Sequence, residues 1–172
     1  MIIGLSGYAR SGKDTVAGML IGLHGYDSRA FADGVREFLT YLNPILEDGH
    51  RLNEVVHDFG WEYTKARTEV RRLLQELGLG VRNFFGPNTW VDRAMEGVSS
   101  SQKVVFTDVR FPNEAEMIKS LGGEIWRIQR PGVAPINNHP SESAMDDWQF
   151  DKMIINSAGM EGLKLQIAAN LK

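Results

Sequence analysis

The chain contains no cysteine, which excludes disulfides, thiolate metal sites and thiol catalysis. It has no basic surplus: 19 Lys and Arg stand against 22 Asp and Glu, a formal net charge of -3, the reverse of the balance a general nucleic-acid binder carries. No apolar run approaches the ~20 residues that cross a bilayer. No basic stretch or cleavage site accompanies the first apolar segment, so neither a membrane span nor a signal peptide is expected. Internal repeats, low-complexity tracts and linkers are also missing. These absences fit a soluble protein of a reducing cytoplasm. What is present, 172 residues with 42% hydrophobic and 24% charged, suits one well-packed domain.

Short apolar runs at Ile2–Ser6, Asp27–Ala32, Lys103–Thr107, Glu124–Gln129 and Lys152–Ile155 read as five strands. Helical spacing recurs between them. Val16, Met19, Leu20 and Leu23 form one face, closed by Gly25. Val35, Phe38, Leu39 and Leu42 form another, with Asp33 at the N-cap and Pro44 as the stop. Val70, Leu73, Leu74 and Leu77 place a helix over 68–79. Asn88 caps a helix through Trp90, Val91, Ala94 and Met95. Further helices are expected over 112–121 and 160–171. Segment 45–65 shows no clear pattern, and 131–147, with three prolines and little periodicity, reads as a mobile segment. Strands alternating with helices imply an α/β fold: one domain over 1–172, with a five-stranded, mainly parallel sheet flanked by helices in three layers.

Gly7-Tyr-Ala-Arg-Ser-Gly12-Lys13 matches G-x-x-x-x-G-K, after a strand and opening a helix, the context that gives this motif meaning. Its glycines let amide N–H groups face phosphates, and the helix N-terminus adds partial positive charge. Gly7, Arg10, Ser11, Gly12, Lys13, Asp14 and Thr15 are therefore the expected ATP-binding residues. Asp14 stands where a Ser or Thr hydroxyl usually meets Mg2+. A carboxylate is also a good ligand, and Thr15 follows with a hydroxyl.

Val104–Phe106 leads through Thr107 into Asp108, the form of an acidic strand end beside a phosphate loop, where ligands of parallel sheets bind. Asp108 either joins Asp14 and Thr15 around the metal or caps its own turn. Arg110 is placed to meet a phosphate, and Glu114 to stabilise the first turn of its helix. Asp33 is open to the same two readings as Asp108.

Arginine forks grip phosphate oxygens in pairs, and Arg67, Arg71, Arg72, Arg82 and Arg93 crowd the centre of the chain. Arg36, Arg71, Gln75, Arg82, Trp90 and Arg110, with Asp33, are the expected substrate-binding residues. Arg127 and Arg130 flank segment 131–147, the expected lid. With Lys13 and Asp33 they make up the expected catalytic set. The four histidines show no metal spacing; His139 is a weak ligand candidate.

Much of the chain resembles the phage-type deoxynucleoside monophosphate kinases, within the P-loop nucleoside monophosphate kinases. The resemblance is carried by Gly4–Thr15, Phe31-Ala-Asp33, Leu73–Gly78 with Arg82, Trp90-Val91, Thr107–Glu114, Gly122-Gly123, Arg127–Arg130 and His139–Glu142. Gly12-Lys-Asp-Thr15 is shared with that family, which accounts for Asp14. Segment 44–66 adds little. The resemblance implies transfer of the ATP γ-phosphate to a deoxynucleoside 5′-monophosphate, with Mg2+ and a sheet of strand order 2-3-1-4-5. It also implies work in the cytoplasm, the host's if the chain is phage-encoded. No nucleic-acid polymer or membrane is an expected partner, and a homodimer is compatible. The alternatives are another small-molecule kinase, such as a dephospho-coenzyme A kinase with Asp33 as base, or a nucleotide-binding switch module. Against a GTPase switch, the chain has no Asn-Lys-x-Asp element.

Overall fold

A computed structural model describes residues 1–171. In chain order the elements are β1 (Ile2–Ser6), α1 (Lys13–His24), β2 (Asp27–Arg29), α2 (Ala32–Leu42), α3 (Leu52–Thr64), α4 (Thr68–Phe85) and α5 (Thr89–Met95). Then follow β3 (Val104–Phe106), α6 (Pro112–Ser120), β4 (Glu124–Gln129), α7 (Pro140–Ser143), β5 (Lys152–Ile155) and α8 (Gly159–Asn170). The chain divides into two compact units, one of residues 1–31 with 95 onward, the other Ala32–Ala94.

The first unit is the sheet. Its strands run in the order β2-β3-β1-β4-β5, and every pair is parallel. That order is the one the resemblance implies. Side chains alternate across it. Ile3, Leu5, Trp126, Ile128 and Ile154 pack with Val16, Leu20, Leu163 and Ile167 of α1 and α8 in one buried core. On the opposite face lies α6, and a Cβ added at Gly4 would fall 2.8–2.9 Å from Ile118, Val109 and Ile125. Gly4 therefore lets helix and strand approach closely, and the three layers follow from period-2 alternation.

The Ala32–Ala94 unit is helical. α2 packs on α4 around Leu39, Leu46, Leu52, Val55 and Val70, with Leu73, Leu74 and Leu77 joining at the edge. Trp90 is 8% exposed, and its indole N–H donates to the Gly78 carbonyl at 2.9 Å.

Several elements depart from expectation. α2 begins at Ala32, so Asp33 lies in its first turn rather than at the N-cap and pairs with Arg36 at 3.3 Å. β2 ends at Arg29, short of Ala32, with all three residues exposed, as befits an edge strand. α4 runs past Leu79 to Phe85, through Gly78 and Gly80, which lower local propensity but do not break the backbone. The unread segment holds α3, bent at Gly60 with φ 77°. Segment 131–147 contains the short helix α7, with His139 at its N-cap.

Candidate active site

The site forms where β1 turns into α1. Three residues of this turn have positive φ: Gly7 at 150°, Arg10 at 67° and Gly12 at 105°. Two of the three are glycine for a further reason. A Cβ at Gly7 would run into the Ile128 carbonyl, and one at Gly12 into the Asn156 amide. Asn156 in turn donates from Nδ2 to the Ser11 carbonyl at 3.0 Å, tying the loop to the end of β5. The loop closes on itself through Ser11 N–H to the Tyr8 carbonyl at 3.1 Å, and α1 starts with Val16 N–H on Gly12 at 3.0 Å. Ser11 is 1% exposed, and its hydroxyl has no partner among the described residues. A buried polar atom of this kind is costly unless a ligand completes it, and it fits a bound phosphate.

Lys13 folds back over the loop and donates to the carbonyls of Gly7 at 2.8 Å and Tyr8 at 2.9 Å. Burial, then the positive charge of Arg110, lowers its ammonium to about 8, against the opposing pull of Asp14, Glu142 and Asp108. These charges therefore converge on the loop. An under-compensated buried cation at a helix N-terminus is suited to a polyanion.

Asp14 is exposed and Thr15 half-buried at the start of α1. One Asp108 oxygen accepts the Phe31 N–H at 2.8 Å, a partner 77 residues away in sequence rather than one in the turn after β3. No group of three or more His, Cys, Asp or Glu side chains is arranged to hold a metal among the described residues. The oxygen donors beside the loop, Asp14, Thr15 and Asp108, are of the kind that fits Mg2+, which takes one or two carboxylates and completes its shell with phosphates and water.

Arg110 is fixed from both ends. Its N–H donates to Glu114 at 2.7 Å, and its guanidinium meets Glu142 at 3.2 Å. Glu114 also accepts from Phe111 at 3.0 Å, which is the first-turn role expected of it. Arg127, at the end of β4, pairs with Asp146 at 3.1 Å and lies 4.6 Å from the Tyr8 ring and 5.3 Å from the Phe150 ring. The Tyr8 hydroxyl donates to the same Asp146 oxygen at 2.9 Å. Burial and that bond raise the Tyr8 phenol, so it stays protonated. A pocket of about 320 Å³ opens here, lined by Tyr8, Ser11, Arg127, Asp146, Trp148 and Phe150 among others. Arg130 also lines it, while Arg10 points from the exposed side of the loop. His139 is occupied as a cap, its Nδ1 accepting from the Ser141 N–H at 3.2 Å. Burial holds that imidazole below its usual value.

The other expected residues belong to the helical unit. Arg71, Gln75 and Arg82 lie half-buried along α4, and Asp33 and Arg36 form the pair already described. Asp146 and Phe150 were not among the residues expected from sequence. Neither stands in a motif, and only the fold brings them to Tyr8.

The family model for deoxynucleotide monophosphate kinase matches residues 47–167. A provisionally named deoxynucleotide monophosphate kinase of Acanthamoeba polyphaga mimivirus is 28% identical over 190 residues, covering 97% of this chain and 94% of the viral one. The ORF77 protein of Ictalurid herpesvirus 1 is 32% identical over 110 residues, 59% of this chain and 47% of its own. The crystal structure of shikimate kinase from Aquifex aeolicus aligns over 99% of this chain and 96% of its own, with 15% identity and a TM-score of 0.49. With the family model spanning most of its length, the chain belongs to the deoxynucleotide monophosphate kinase family.

Proposed function

We propose that this kinase transfers the γ-phosphate of ATP to a deoxynucleoside 5′-monophosphate and releases the diphosphate. The observation that carries this reading is the phosphate loop: a left-handed glycine turn at the N-terminus of α1, with a half-buried lysine ammonium held on its carbonyls. Family membership supplies the acceptor class.

The acceptor nucleophile is an ionised phosphate oxygen, so no side chain has to remove a proton. The protein's work is alignment, charge neutralisation and exclusion of water. Lys13 leaves the loop carbonyls for the β- and γ-phosphates, while loop amides and the Ser11 hydroxyl bind phosphate oxygens. Asp14, Thr15 and Asp108 would hold Mg2+, which would supply charge neutralisation at the phosphates. Arg110, Arg127 and Arg130 offset the charge that develops during transfer, and segment 131–147 serves as the lid. Arg36, Arg71, Gln75, Arg82 and Trp90, with Asp33 in support, bind the acceptor. No described helix is long and apolar enough to cross a membrane.

The test is a panel of deoxynucleoside and ribonucleoside monophosphates with ATP and Mg2+, scored for diphosphate formed. Turnover of at least one deoxynucleotide is expected. ATP consumption that ignores every monophosphate would refute the assignment.

A further inference from the structure

Two carboxylates of segment 131–147 occupy two arginines at the phosphate loop, and the two pairs are built in opposite senses. In Arg110–Glu142 the acid is inside, its side chain 7% exposed against 39% for the arginine. In Arg127–Asp146 the arginine is inside at 13% and the acid faces solvent at 37%. The first is a structural anchor. The second can exchange its acid without uncovering a buried carboxylate.

We propose that Asp146 is an internal competitor for phosphate: it pairs with Arg127 and Tyr8, and an incoming polyphosphate must displace it. This rests on the reading that the loop takes a nucleotide polyphosphate.

The chemistry of the two partners is interchangeable, because a guanidinium fork accepts carboxylate and phosphate oxygens alike. Arg127 would keep its place on losing Asp146, since the Tyr8 and Phe150 rings flank it at 4.6 and 5.3 Å and aromatic faces favour a cation. Space for the newcomer exists, because the pocket of about 320 Å³ is lined by this same pair and by Ser11. Asp146 is also tied to the loop itself through the Tyr8 hydroxyl at 2.9 Å. With Asp146 competing, the apparent affinity for polyphosphate is the intrinsic affinity multiplied by the fraction of molecules in which Arg127 is released.

The sign of one substitution tests this. Asp146→Asn removes the competing charge, and a pair closed most of the time predicts binding about three- to tenfold tighter, read by calorimetry with ATP and with inorganic tripolyphosphate. Asp147→Asn, at the adjacent exposed carboxylate, makes the same change in net charge and is expected to leave affinity within about twofold of wild type. The gain from Asp146→Asn should vanish in an Arg127→Ala background. If Asp146→Asn does not fold, Tyr8→Phe removes one anchor and should shift affinity in the same direction. A ligand-free arm stands apart from the nucleotide reading: amide exchange over 131–147 should be faster in Asp146→Asn than in Asp147→Asn. Binding by Asp146→Asn equal to or weaker than wild type, an equal gain from Asp147→Asn, or identical exchange would overturn the proposal. Protein that binds neither probe yet shows the exchange difference would remove the nucleotide reading and leave the Asp146 contact standing.

Discussion

The Lys13 ammonium lies 2.8 Å from the carbonyl oxygen of Gly7, the first residue of the loop that its own helix closes. The cation is thus stored on backbone dipoles at the place where a phosphate would need it. Lys13→Ala should leave the fold intact, because the side chain contacts loop carbonyls rather than core. Transfer should fall on the order of 10²-fold or more, the cost of losing one preorganised charge. Circular dichroism and initial rates check both halves. Rates within a few-fold of wild type would remove Lys13 from the chemistry.

Lys13 also sets a pH signature. Burial and Arg110 bring its ammonium to about 8, below its unfolded value, so charging it in the empty protein opposes folding. That cost is fully present below pH ~8 and fades as pH rises toward the unfolded value. Phosphate binding reverses the shift by supplying the missing anion. At pH 9, about one unit above the ligand-free value, ATP binding should take up close to one proton, about 0.9, and almost none through this group at pH 7. Calorimetry in two buffers of different ionisation enthalpy measures this. Equal apparent enthalpies at pH 9 would contradict it.

Asp108→Asn keeps an oxygen able to accept the Phe31 N–H, now made at 2.8 Å, and loses only the charge. Melting should stay close to wild type, while the Mg2+ concentration for half-maximal rate rises about tenfold, because an amide is a poorer ligand than a carboxylate. An unchanged Mg2+ titration would leave Asp108 with its bond to the Phe31 N–H alone.

Arg71→Ala and Arg82→Ala should each raise the Michaelis constant for the monophosphate about ten- to hundredfold, the worth of one charged hydrogen bond. The constant for ATP should move far less. Steady-state kinetics with one substrate varied at a time separates the two. Unchanged monophosphate constants in both variants would move the acceptor site off α4.

The phosphate loop and the sheet strands were legible because their signals are local. Short apolar runs announced β1, β4 and β5, and the strand-glycine-lysine-helix string marked the phosphate loop over residues 7–13. The strand order came from the family resemblance, since periodicity is blind to which strands pair. Segment 45–65 was opaque because α3 bends at Gly60 and its buried apolar positions, Leu52 and Val55, are too few for a clear stripe. Asp33 has the chemistry of a cap but sits one position inside α2. Its pairing with Arg36 shows how a first-turn acid and an N-cap look alike in sequence. Asp146 carried no local signal at all. Its contacts to Tyr8 and Arg127 join positions 138 and 19 residues away.

Incubating wild type and Lys13→Ala with γ-labelled ATP, Mg2+ and each deoxynucleoside monophosphate in turn follows the phosphoryl group from the loop that holds Lys13 to a deoxynucleotide. Wild type should place label in the β-position of a deoxynucleoside diphosphate, and the variant should do so on the order of 10²-fold less or lower still. Label released only as inorganic phosphate, or transferred equally by both proteins, would contradict that route.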